Sequence, residues 1–203
     1  ILRASQQGNL KIMLPMVSDV SEILRARKLI SQVKLQLRRE GIQFDTDIAV
    51  GIMVEVPSIA ITAQFAATKV DFMSIGTNDL TQYTLAVDRV NNRVAGLYSA
   101  LHPSVLSMIK MTIDAGRARN IPVSICGEIA GDLQAAPLFI GMGVQMLSVS
   151  PNKIFDLCRT IKTIDSKVAR HLAASVLSCG SLRDATRIVQ SFRTTQREER
   201  RYR

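Results

Sequence analysis

Short apolar runs alternate along this chain with longer stretches whose apolar residues recur at helical spacing. The runs at residues 10–17, 48–56, 70–75, 121–126 and 145–149 are apolar on both faces, the pattern of buried strands in a parallel sheet. After the first run, Val20, Ile23, Leu24, Ile30, Val33 and Leu37 form one helical stripe, with Ser18 placed to cap it and Gly41 to end it. Pro57 opens a predicted helix over residues 58–68, a further one covers 79–87, and Pro103 opens another over 105–119. Strand and helix in alternation mean an α/β fold, either an open doubly wound sheet or a (β/α)8 barrel. Periodicity leaves both open.

Beyond about residue 152 the pattern changes. No further strand is predicted; residues 165–177 and 181–192 read as amphipathic helices separated by Gly180 and packed outside the sheet. The last ten positions, 194–203, have no apolar side chain except Tyr202 and read as a disordered basic tail.

Composition narrows the class. With 203 residues and 47% hydrophobic content the chain can bury a sizeable core. No apolar run reaches the roughly 18 residues of a membrane span, and the first residues lack the layout of a signal peptide, so a cytoplasmic fragment of a longer protein is expected. Cys126, Cys158 and Cys179 are too scattered for a disulfide framework, and none stands at zinc-site spacing from His102 or His171. Cys158 and Cys179 are expected in helix cores. The formal charge of +9 is concentrated on the first helix, residues 25–39, and in the tail. With one aromatic in that tail and no reader motif, nucleic acid is not the expected partner.

Candidate chemistry gathers where apolar runs end, the ligand-binding edge of parallel α/β folds. Glu55 closes the second run, Asn78 and Asp79 follow the third, and Cys126 and Glu128 follow the fourth. Two carboxylates on neighbouring strand ends suit a hard cation such as Mg²⁺; helix capping or pairing with Arg or Lys would explain them as well. Asn78 or Asp79 could equally cap the helix they begin. Arg89 could hold a phosphate or carboxylate bidentately, or pair with Asp88 at the surface. A thiol at Cys126 that faced the rim would be protonated at neutral pH and able to act as an acid, whereas burial in the core is the commoner fate of such a residue.

Four motifs in order carry a resemblance: Gly-Ile-Met-Val-Glu-Val-Pro-Ser (51–58), Ser-Ile-Gly-Thr-Asn-Asp-Leu-Thr-Gln-Tyr (74–83), Ala-Val-Asp-Arg (86–89) and Cys-Gly-Glu-Ile-Ala-Gly-Asp (126–132). Together they resemble the phosphoenolpyruvate-utilising enzymes: Enzyme I of the phosphotransferase system, pyruvate phosphate dikinase and phosphoenolpyruvate synthase. Leu-Arg-Ala-Ser (2–5), Ile-Met-Leu-Pro-Met-Val (12–17) and residues 80–89 look like Enzyme I, and residues 88–103 look most like its nitrogen-related branch.

The resemblance implies a partial (β/α)8 barrel, about five of eight strands, over residues 1–163, followed by helices over 164–193. It implies that Glu55 and Asp79 ligate Mg²⁺, that Asn78, Asp79, Arg89 and Arg3 bind phosphoenolpyruvate, and that Cys126 protonates the enolate carbon to give pyruvate. A phosphohistidine upstream, a phosphocarrier protein as next acceptor, and a homodimer are implied for the intact enzyme. Neither His102 nor His171 sits in a phosphohistidine motif, so this stretch alone is not expected to complete the transfer. A dikinase-type member and a partner-binding module without catalysis are the two rival readings.

Overall fold

Each apolar run becomes a strand in the computed structural model, which describes the backbone of residues 1–201 and the side chains of residues 1–192. The elements are β1 (Lys11–Leu14), α1 (Val20–Arg39), β2 (Ala49–Val54), α2 (Pro57–Ile61), α3 (Ala63–Ala66), β3 (Met73–Gly76) and α4 (Thr77–Leu85), then α5 (Pro103–Ala118), β4 (Val123–Cys126), α6 (Ala136–Met142), β5 (Met146–Leu147), α7 (Pro151–Ile161), α8 (Ser166–Leu177) and α9 (Leu182–Arg201). Neighbouring strands pair in parallel in the order β1-β2-β3-β4-β5. A doubly wound sheet reverses its strand order at a switch point, whereas a barrel adds strands one after another. The unbroken order therefore makes this sheet an arc of (β/α)8 type, and every strand ends on the same rim.

Burial on both faces explains the composition of β2 and β3. By contrast β4 alternates buried and half-buried positions, β1 alternates exposed and covered ones, and neither residue of β5 is buried, against the expectation for the first and last runs. Ile52, Val54, Ile75 and Ile125 have no exposed surface, and all of β3 is buried. One core joins these strands to Ile59, Leu80, Leu106, Ile109 and Phe139 of the surrounding helices. A smaller cluster of Leu2, Ile12, Leu37, Ile48 and Val50 closes the β1 side.

The helix ends follow local chemistry. Asp19, one residue beyond the expected Ser18, caps α1: its carboxylate accepts from the Ser21 amide at 2.7 Å, and Glu22 accepts from the Ser18 and Asp19 amides. Gly41, at φ +71, ends that helix as expected. The single helix expected over 58–68 is broken at Thr62, whose hydroxyl donates to the Ser58 carbonyl at 2.8 Å while its backbone leaves helical geometry. Two helices absent from the sequence reading, α6 and α7, flank β5.

Helix α8 packs across α6, where a Cβ on Gly141 would collide with the Ala169 carbonyl; glycine is what lets the two backbones meet. The Val176 of α8 and the Ala185 and Val189 of α9 are buried in the main core, so the C-terminal helices cover the arc from outside. Cys179 is half-buried but Cys158 is exposed on α7, against the expectation of burial, because α7 presents only Leu157 to the core. In its backbone α9 reaches Arg201; the side chains from residue 193 onward and all of Tyr202 and Arg203 lie outside the described residues, and the expectation of a disordered tail with them.

Candidate functional site

Glu55 follows β2 directly and is 3% exposed. Its Oε1 accepts a 2.7 Å hydrogen bond from the Met16 amide, in the loop after β1, where Met16 takes a left-handed φ of +54. On its other side the chain passes so close that a Cβ on Gly76 would lie 2.9 Å from Oε2. Among the described residues no Lys or Arg pairs with this buried carboxylate. An unpaired buried carboxylate is disfavoured unless something positive or hydrogen-bonding answers it.

The second carboxylate is one strand away. Helix α4 has Gly76 as its cap residue and no side-chain cap, which puts Asn78 and Asp79 inside its first turn. Neither residue caps the helix. Asp79 is half-buried and makes no ion pair among the described residues, so the two alternative readings of this carboxylate fail together. Asn78 instead ties the rim together: its Oδ1 accepts from the Glu128 amide at 3.2 Å, and its carbonyl accepts from the Tyr98 hydroxyl at 2.9 Å.

Cys126 ends β4, paired in register with Gly76 of β3. Its thiol is half-buried and donates to the Ile75 carbonyl at 3.3 Å. Behind it runs a short polar chain: the Ser124 hydroxyl donates to Ser74 at 2.9 Å, and the Ser74 hydroxyl donates to the Cys126 sulfur at 3.7 Å. Burial pushes the Cys126 thiol above its ordinary pKa; the Ser74 hydrogen bond opposes that, and the charges of Glu55 and Asp79 add to it. Both carboxylates thus act on one sulfur. Gly127, at φ +94, turns the chain away from the thiol; a Cβ there would strike the Thr77 hydroxyl and lie 2.9 Å from Asn78 Oδ1.

Cys126 and Asn78 line a cleft of about 610 Å³ together with Gly127 and Glu128, which follow β4, and Ser148 and Lys153, which follow β5. Arg89 lies beyond that lining, exposed after α4, with its amide held by Gln82 at 3.3 Å. Its charge is felt at Tyr98, whose phenol burial pushes up and which Arg89 draws back down. Arg3 is not brought to the rim. It pairs with Glu40 at 3.4 Å, beyond the end of α1, at the opposite edge of the sheet where the strands begin. Arg3 opens the 3-10 turn Arg3–Gln7 that leads into β1, and Glu40 ends α1, the helix that returns the chain toward the start of β2, so both lie where strands begin. His102 caps α5 by accepting from the Ser104 amide at 3.3 Å, and His171 is exposed on α8.

The rim thus carries two carboxylates and a half-buried thiol on the ends of three neighbouring strands. Residues 1–166 match the family described as PEP-utilising enzyme, PEP-binding domain. The chain belongs to the phosphoenolpyruvate-utilising enzymes. Within that family it is 44% identical over 192 residues to the phosphoenolpyruvate-protein phosphotransferase of Haemophilus influenzae and 42% identical over 193 residues to that of Enterococcus faecalis. Each match covers 95% of this chain but 33% and 34% of the relative, so the chain spans about a third of the length of these curated relatives. In fold the phosphoenolpyruvate-utilising domain is similar to a citrate lyase of Burkholderia xenovorans, with a TM-score of 0.54 over 93% of this chain and 64% of that one. A pyruvate kinase from Cryptosporidium parvum gives 0.54 over 83% and 36%; at 15% and 12% identity these likenesses concern the fold alone.

Sequence reasoning singled out the acids and the thiol but not their supports. Ser74 and Ser124 stand on apolar strands where a hydroxyl is the one polar group, a signal that was available. Tyr98 and Lys153 had none, because each reaches the rim across elements far apart in sequence.

Proposed function

We propose that this chain is the phosphoenolpyruvate- and Mg²⁺-binding part of a phosphoenolpyruvate-protein phosphotransferase. The observation that carries the reading is that Glu55, Asp79 and Cys126 follow the ends of three neighbouring parallel strands, β2, β3 and β4, on one rim. The donor set fits a hard cation: two carboxylate residues without an ion pair among the described residues, on adjacent strand ends, with the remaining positions left to water and substrate oxygens. Among the described residues no three His, Cys, Asp or Glu side chains are arranged to hold a metal ion by themselves, so water and substrate oxygens would have to complete the coordination. Mg²⁺ bound there would neutralise charge on the transferring phosphoryl group.

The chain's own residues then have distinct tasks. Glu55 and Asp79 hold the cation, and Asn78, fixed between Glu128 and Tyr98, sets the substrate-facing turn. The phosphorus–oxygen bond of phosphoenolpyruvate breaks as a bond forms to an acceptor histidine outside this chain, leaving the enolate of pyruvate. Cys126 gives its proton to the methylene carbon, the enolate electron pair forms the new C–H bond, and the thiolate regains a proton from water. The phosphoryl group passes on from histidine to a phosphocarrier protein. The intact enzyme works in the cytoplasm as a homodimer, as the resemblance to Enzyme I implies.

The names of the relatives favour this over a dikinase. Titration calorimetry on the full-length protein tests it: phosphoenolpyruvate should bind with Mg²⁺ and release on chelation, and metal-independent binding or none would end the reading.

A further inference from the structure

Cys126 stands between two walls of opposite character. Strand β4 lies next to β3, and β3 next to β2, so the carboxylates of Asp79 and Glu55 approach the thiol from one side. On the other side β5 leads through Ser148 and Ser150 into α7, whose third residue is Lys153. Lys153 is the one positive side chain among those lining the cleft with Cys126 and Asn78. It forms no ion pair among the described residues, and Glu128, the nearest carboxylate of the lining, is not its partner.

The lysine stem is seated on the turn that follows the thiol. A Cβ on Gly131 would lie 3.4 Å from Lys153 Cγ, 3.7 Å from Cβ and 3.8 Å from Cδ, ordinary packing distances that a bare glycine leaves open for the stem. Gly131 closes the 3-10 turn Glu128–Gly131 that Cys126 and Gly127 lead into. Lysine position and thiol position are therefore set by the same short stretch of chain.

Adjacent strands are about 4.8 Å apart, so β5 and the metal-side strands flank Cys126 at a spacing that a three-carbon acid bearing a phosphate can bridge. Such a substrate is anionic at both ends. A cation on β2 and β3 answers one end and leaves the other to be held, or the methylene carbon would not stay before the sulfur. We propose that Lys153 is a substrate-positioning residue: it holds the anionic group of the metal-bound substrate that faces β5, and so fixes the reacting carbon against Cys126. This rests on the function proposed above and adds to it a residue from outside the four motifs.

The test is titration calorimetry and steady-state kinetics on the full-length protein, with phosphoenolpyruvate and Mg²⁺ as the probe. Lys153→Met keeps the stem on Gly131 and removes the charge; binding should weaken by about ten- to hundredfold, as expected for loss of a charged hydrogen bond, with KM rising more than kcat falls. Lys153→Arg should restore most of the affinity. If the wild type binds and Lys153→Met binds equally well, this inference is overturned while the proposed function stands. If both variants lose affinity together with thermal stability, the lysine is structural and the inference is again overturned. If the wild type does not bind, the proposed function fails and takes the lysine's role with it.

Discussion

The Cys126 thiol donates its hydrogen bond to the Ile75 carbonyl, 3.3 Å away on the neighbouring strand. In this arrangement the proton points into the sheet, and the sulfur accepts from Ser74 on its other side. A rotation about one side-chain bond is enough to turn that proton toward the cleft. Replacing Cys126 with Ala should lower pyruvate formation in the full-length enzyme by about 10²- to 10⁴-fold, the range for loss of a positioned acid. Phosphoenolpyruvate binding and the thermal midpoint should change little; wild-type pyruvate production in the variant would refute the role.

The thiol's proton affinity gives a second prediction. Burial, then the charges of Glu55 and Asp79, raise its pKa, so the folded state holds the proton beyond the pH at which a free thiol loses it. Stability linked to this group is complete below the unfolded pKa and is lost as pH rises through the folded one. In a variant lacking Cys158 and Cys179, alkylation of Cys126 without Mg²⁺ should therefore have its midpoint above the ordinary thiol value. Ser74→Ala should move that midpoint higher, because it removes the one hydroxyl that favours the thiolate. A midpoint at or below the free-thiol value would contradict the account.

Charge and hydrogen bonding at Glu55 can be separated. Glu55→Gln keeps an oxygen for the Met16 amide and removes the negative charge. Mg²⁺-dependent binding of phosphoenolpyruvate should weaken about tenfold or more, the scale of a lost charged contact, with the fold intact by circular dichroism. Asp79→Asn should act alike. Unchanged titrations for both variants would count against metal ligation.

Gly127 has a backbone, φ +94 and ψ 178, that glycine alone takes readily. Gly127→Ala should destabilise the fold by about 1–3 kcal/mol in denaturant titrations and displace Thr77 and Asn78 from their partners. Wild-type stability and binding in this variant would show that the close approach of Gly127 to Thr77 and Asn78 does not hold the rim in place.

Much of this was legible in the sequence, for physical reasons that differ by element. β2, β3 and β4 were readable because their burial leaves short runs that are apolar apart from Ser74 and Ser124. Their order was not, because periodicity says nothing about which strands pair. Asn78 and Asp79 looked like caps because their side chains suit that task; the actual cap, Gly76, leaves no side-chain mark. Arg3 stands in the Leu-Arg-Ala-Ser stretch that resembles Enzyme I, yet it pairs with Glu40 at the edge where the strands begin. The helices flanking β5 left weaker marks, α6 because it is short and buried nearly all round, which removes the amphipathic period, α7 because its exposed face carries Ile154 and Phe155 where a polar surface would be the rule.

The sheet is an arc, and an arc has margins. Along β1 and β5 the outward backbone groups meet no further strand among the described residues, whereas a closed barrel would leave none unpaired. Met13 on the first margin is 41% exposed and Met146 on the last is 57% exposed, so each border offers apolar surface beside its free peptide groups. Any neighbour that lies along these borders therefore meets two recruiting surfaces, and the concentration at which this chain remains solitary in solution depends on how they are covered.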